Sequence, residues 1–91
     1  VFYLIECLAS AGASVGLAPD LAMRLARATV CGAGELAYRE ATTAKTLRQN
    51  VTSPGGTTEA ALKMLMDDDG LDQLMRRAVE AATRRSIELA G

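Results

Sequence analysis

The chain has no histidine and no tryptophan, and its 91 residues include only one Phe, two Tyr, two Pro and two Cys. Each scarcity closes a class. Without His, neither a Ser-His-Asp triad nor a His-ligated metal site can be built from this chain, and no metal is expected. Cys7 and Cys31 alone do not make a disulfide scaffold. Eleven acids against ten bases, a formal net charge of -1, leave no basic excess for binding nucleic acid. No apolar run approaches the ~20 residues of a membrane span. Val1-Phe2-Tyr3-Leu4-Ile5 is the nearest, and Glu6 interrupts it. A secretory signal opens on basic residues, whereas this chain opens inside an apolar run without an initiator Met. It is expected to be part of a larger protein.

Against these absences stands a hydrophobic content of 49% with 23% charged residues, which argues against disorder. Seventeen Ala and eight Gly keep the apolar volume small. The length fits one domain, residues 1–91. A domain of this size covers only about 60% of the surface that its unfolded chain exposes. With few large side chains, its core is expected to need a partner surface.

The periodicity is helical throughout. Leu4, Ile5, Leu8, Ala11 and Val15 predict a first helix over residues 1–17, with Ala9, Gly12, Ala13 and Gly16 as a small-residue face and Gly16 as its stop. Pro19 and Asp20 suit the first turn of a second helix, running to about Glu40 with Leu21, Leu25, Ala28, Ala33 and Leu36 facing inward. Gly32 and Gly34 weaken its interior, and close backbone packing is the expected compensation. A short helix follows over 44–49, with Thr43 as its cap. Thr57 predicts the cap of a fourth helix through Leu62, Leu65 and Met66, stopped by Gly70. The last helix spans Leu71 to Leu89 on a stripe of Leu71, Leu74, Met75, Ala78, Ala82 and Ile87. The expected fold is all-α, four longer helices and one short one.

Most side chains are accounted for by packing. Cys7 and Cys31 read as small buried hydrophobes, and Met64, Met66 and Met75 as core or interface filler. Glu6 is expected to face solvent. Asp67, Asp68 and Asp69 lack the alternating spacing of a Ca²⁺ loop and read as a solvated helix end.

The segment from Asn50 to Thr58 is different. Ser53, Thr57 and Thr58 supply hydroxyls, Gly55 and Gly56 permit close approach to the backbone, and the segment opens into a helix N-terminus. Such a terminus presents unpaired N–H groups and the positive end of the helix dipole. A small anion, carboxylate or phosphate, fits this chemistry. The same residues also fit an ordinary turn with a helix cap. The segment has neither the lysine nor the preceding strand of a P-loop.

Val51-Thr52-Ser53-Pro54-Gly55-Gly56-Thr57-Thr58 resembles the signature of pyrroline-5-carboxylate reductases. Phe2-Tyr3-Leu4-Ile5-Glu6 through Ala11-Gly12 and Gly16-Leu17 is similar to the first helix of that family's C-terminal domain. Val79-Glu80-Ala81-Ala82-Thr83 with Arg85-Ser86 and Glu88-Leu89 is similar to the last. The resemblance spans essentially the whole chain.

It implies a helical dimerisation domain whose helices interleave with those of a second subunit, attached to an N-terminal Rossmann domain that binds NADPH or NADH. It implies a cytoplasmic enzyme that reduces 1-pyrroline-5-carboxylate to L-proline, the last step of proline biosynthesis. Ser53, Gly55, Gly56 and Thr57 would then hold the substrate carboxylate. Thr58 would set its hydroxyl near the ring nitrogen, as the catalytic residue, and Asn50 would lie near the cofactor. Partners would be a second copy and the imino acid, with no nucleic acid and no membrane. The chain departs from the family pattern in lacking the glycine-rich nucleotide fingerprint and the Gly-Ser-Gly-Pro stretch before the first helix, so it is expected to be inactive alone. Two other readings stay open: a non-catalytic helical homo-oligomerisation module, and a related Rossmann-type reductase acting on another imino acid or a 2-hydroxy acid.

Overall fold

A computed structural model describes all of residues 1–91. It holds five helices and no strand: α1 (Phe2–Ser14), α2 (Pro19–Arg39), α3 (Ala44–Asn50), α4 (Thr57–Leu65) and α5 (Leu71–Ala90). The chain divides into two compact units, Val1–Leu47 and Arg48–Gly91.

In the first unit, α1 packs on α2. The end of α1 is a Schellman motif. Gly16 sits at φ 114°, its N–H donates to the Ala13 carbonyl at 3.1 Å, and the Leu17 N–H donates to the Gly12 carbonyl at 3.1 Å. The stop expected at Gly16 is therefore made by its left-handed backbone. α2 begins with Pro19 at its first position and Asp20 in its first turn, as the dipole argument requires. Its cap residue is Ala18, whose carbonyl receives the Ala22 N–H at 2.9 Å.

The α1–α2 contact is made by small residues. Ala9, Ala22 and Ala26 are the only buried side chains in the chain. A Cβ added to Gly12 would lie 3.4 Å from the Ala22 Cβ and 3.2 Å from Leu17 Cδ1, so the missing side chain is what lets the helices approach. The inward face of α2 thus corrects the expected one. Leu21, Leu25, Ala28, Ala33 and Leu36 are exposed, because two helices brought together by alanine leave larger neighbours at the rim. Gly32 and Gly34 have nothing within 4 Å of an added Cβ, so the compensating backbone contact expected for them is not made within this chain.

Cys7 and Cys31 are exposed and unpaired, which corrects their assignment as buried hydrophobes. Glu6 faces solvent as expected. A hydrogen bond with the Cys7 side chain, one turn along α1, pushes the Tyr3 phenol above its usual pKa, and the charge of Glu6 adds to the shift.

Thr43 caps α3 as expected: its hydroxyl oxygen accepts the Thr46 N–H at 3.2 Å. In the second unit, the expected cap at Thr57 moves by one residue. Gly56 is the cap and Thr57 is the first helical residue. α4 also ends at Leu65, short of the expected end at Asp67-Asp68-Asp69-Gly70, and Gly70 is not its stop. Gly70 opens α5 instead, its carbonyl receiving the Leu74 N–H at 3.2 Å. An added Cβ at Gly70 would overlap the Leu65 carbonyl oxygen, so this position admits no side chain.

No residue of α4 or α5 is buried. Met64, Met66 and Met75 are exposed, as are Leu71, Leu74, Val79 and Ile87. The methionines therefore fill no core within this chain. The ion pairs Arg76–Asp72, Arg84–Glu80 and Arg85–Glu88 all lie on exposed faces of α5 and contribute at most a few tenths of a kcal/mol each. α5 carries a long apolar stripe that its own chain leaves largely exposed, with Leu62, Leu65 and Met66 beside only its first turns at Leu71 and Met75.

Candidate functional site

The loop between α3 and α4 is built from two tied ends. At its start, the Thr52 hydroxyl donates to the Arg48 carbonyl at 2.6 Å and the Thr52 N–H donates to the Gln49 carbonyl at 3.1 Å. These bonds satisfy carbonyls that the end of a helix leaves unpaired. At its far end, Ser53-Pro54-Gly55-Gly56 forms a β-turn closed by the Gly56 N–H donating to the Ser53 carbonyl at 2.9 Å. Proline at the second position suits that turn, and Gly55 at φ 73° supplies the positive φ that a type II turn needs at the third. Gly56 then has extended backbone, φ -86° and ψ -178°, and starts α4.

Close approach, rather than positive φ, explains the second glycine. A Cβ on Gly56 would lie 3.1 Å from the Ser53 carbonyl oxygen and 3.4 Å from the Ser53 Cβ, whereas one on Gly55 would meet nothing within 4 Å. The adjacent glycines therefore do different work.

The donors at the start of α4 are partly engaged and partly free. The Gly56 N–H is engaged by the turn. The Thr57, Thr58 and Glu59 N–H groups have no acceptor in the chain, as the first turn of a helix leaves them. The hydroxyls of Ser53, Thr57 and Thr58 make no hydrogen bond within the chain either. Ser53 and Thr57 are exposed, and Gly56 and Thr58 are half-buried. Three backbone N–H groups and three hydroxyls thus cluster along the seven residues from Ser53 to Glu59 at the positive end of a helix. An anion with two oxygens can be met there by N–H donors on one side and hydroxyls on the other. This turn-to-helix segment brings together Ser53, Gly55, Gly56, Thr57 and Thr58. It leaves Asn50 at the last position of α3, exposed and making no side-chain hydrogen bond.

A groove runs beside the loop, lined by Arg48, Gln49, Thr52, Glu59, Leu62 and Lys63 among others. It contains none of the five loop residues named above. The loop's donors lie on open surface, and no wall of this chain closes over them.

Sequence reasoning gave Thr52 no role. A threonine just past a helix end can meet many partners, and in the folded chain its hydroxyl turns back to the Arg48 carbonyl. No group of three or more Cys, Asp or Glu side chains is placed to hold a metal ion, and no helix is long and apolar enough to cross a membrane.

The family model for pyrroline-5-carboxylate reductase dimerisation matches residues 1–89. The chain is 40% identical over 89 residues to a pyrroline-5-carboxylate reductase of Pseudomonas aeruginosa, covering 98% of this chain and 32% of that protein. It is 41% identical over 90 residues to one of Pisum sativum, covering 99% of this chain and 33% of the relative. The crystal structure of the Plasmodium falciparum pyrroline carboxylate reductase with NADP bound superposes with a TM-score of 0.91 at 30% identity, over 99% of this chain and 34% of that one. The chain spans about a third of the length of the relatives it matches.

Proposed function

The chain belongs to the pyrroline-5-carboxylate reductase dimerisation family, and from that premise we propose that the full-length protein reduces 1-pyrroline-5-carboxylate to L-proline with NADPH or NADH. The observation that carries this reading is the free donor cluster at the start of α4. It offers what a small ring bearing a carboxylate needs, and all of it but the Glu59 N–H lies within the octapeptide that resembles the family signature.

In this reading the Ser53 hydroxyl and the Thr57 and Thr58 N–H groups grip the substrate carboxylate, with charge-assisted hydrogen bonds. Gly55 and Gly56 shape the turn that holds Ser53 against the helix start. The Thr58 hydroxyl, half-buried on the first turn of α4, sits beside the ring nitrogen and polarises the imine. Catalysis is then chiefly the fixing of one face of the ring toward the cofactor. A histidine is not needed, because an iminium ion or a water-relayed proton serves the nitrogen.

The dinucleotide itself does not fit this chain. Five helices without a strand offer no strand–turn–helix to cradle a pyrophosphate. We assign it to an N-terminal Rossmann domain, where it supplies the hydride. Asn50 borders it at most, as one exposed amide at the end of α3.

Dimerisation completes the reading. The uncovered apolar stripe of α5 and the exposed leucines of α1 and α2 form more apolar surface than a stable monomer carries. Interleaving with the helices of a second copy covers it. Two unpaired cysteines suit a reducing compartment, and we place the enzyme in the cytoplasm.

The test is oxidation of NADPH or NADH by the full-length protein with 1-pyrroline-5-carboxylate. Turnover supports the assignment. Turnover only with an acyclic imino acid or a 2-oxo acid would move the protein to a related reductase. No turnover with any of these, from a folded oligomer, would leave a non-catalytic oligomerisation module.

A further inference from the structure

Eight of the chain's side-chain hydrogen bonds join nitrogen or oxygen atoms, and seven of these lie on exposed surface. The eighth, from the Thr52 hydroxyl to the Arg48 carbonyl at 2.6 Å, is part-buried. Less water competes there, so this bond is held more firmly than the other seven. Arg48 receives a second donor, the Val51 N–H, but at 3.3 Å. Thr52 is therefore the main closure of the last turn of α3.

Thr52 is also covalently the residue before Ser53, whose carbonyl closes the turn on Gly56. Its half-buried side chain lines the groove with Glu59, Leu62 and Lys63 of α4. One residue thus ties the end of α3, the start of the turn and the flank of α4.

We infer that Thr52 is a positioning residue for the carboxylate site: its hydroxyl fixes where the Ser53 side of the turn lies relative to the free N–H groups of α4. This rests on the function proposed above. Thr52 itself does not touch substrate. Its action reaches the carboxylate through Ser53, while Thr58, anchored in the helix, keeps its place at the nitrogen.

The test uses the full-length protein with Thr52→Val, which keeps the branched shape and removes the hydroxyl, and Thr52→Ser, which keeps the hydroxyl. T52V raises KM for 1-pyrroline-5-carboxylate by about tenfold, with kcat within about twofold and KM for the dinucleotide unchanged. T52S restores the wild-type KM. Amide exchange at Gly56 quickens in T52V and not in T52S, because the turn it closes has lost its anchor.

Wild-type KM in T52V, equal loss in T52S, or an equal rise in the dinucleotide KM overturns the role. So does a T52V protein that fails to fold, since the hydroxyl then holds the domain and not the loop. A wild-type protein without reductase activity overturns the function instead. In that case exchange at Gly56 alone decides whether Thr52 anchors the turn.

Discussion

The Gly56 N–H donates to the Ser53 carbonyl at 2.9 Å, and an added Cβ on Gly56 would stand 3.1 Å from that same oxygen. The pair is therefore locked both by a bond and by the lack of room for anything else. Gly55 beside it is constrained only by its backbone, φ 73° with open space around it. Gly55→Ala should cost about 1 kcal/mol of stability and leave the loop shape largely intact. Gly56→Ala should push the Ser53 carbonyl away and raise KM for the imino acid more than Gly55→Ala does. Urea unfolding and steady-state kinetics on both variants check this, and equal KM values would count against the close-approach argument.

Thr58→Ala should lower kcat by at least about tenfold, which is about 1.4 kcal/mol of transition-state stabilisation. Folding stability should change by less than about 0.5 kcal/mol, because the hydroxyl makes no bond within the chain. Thr58→Ser should retain turnover. Unchanged kcat in T58A would remove this residue from the chemistry.

The α1–α2 contact gives a contrast within one helix. Ala22 is 2% exposed and faces Gly12, whereas Ala28 is exposed. Ala22→Leu should destabilise by about 1–3 kcal/mol through overpacking. Ala28→Leu should leave the α1–α2 contact undisturbed. Thermal unfolding of the two variants distinguishes this register from the one expected from Leu21, Leu25 and Ala28.

Association should carry much of the stability. The thermal midpoint of the isolated chain should rise with protein concentration, as mass action requires of a fold completed by a second copy. Leu74→Glu, on the uncovered stripe of α5, should weaken self-association by more than about tenfold, measured by sedimentation. A midpoint independent of concentration, with a monomeric wild-type chain, would contradict the interleaved dimer.

Helix number and order were legible in the sequence because periodicity, Pro19, Gly16 and Thr43 each mark local chemistry. Boundaries slipped where a tertiary or turn constraint outranked propensity. Thr57 is a better cap than Gly56 by side chain alone, but the turn from Ser53 ends with Gly56 as the half-helical residue. Gly70 follows three acids and reads as a stop, yet it opens α5. The inward face of α2 was misjudged because its leucines and its alanines define different stripes. Which stripe a neighbouring helix takes depends on how near it can come, and Gly12 decides that. The donor cluster of the candidate site was readable, since free N–H groups follow from any helix start. The anchoring hydroxyl of Thr52 was not, because it depends on a contact that sequence order does not specify.

The bare length of α5 has a consequence for how the protein comes into being. Twenty residues of helix with none buried are near the limit of what persists alone in water. In a newly made chain this helix should flicker between coil and helix until another surface meets it. Its final ordering is then an encounter between molecules, quickened by abundance and slowed by dilution.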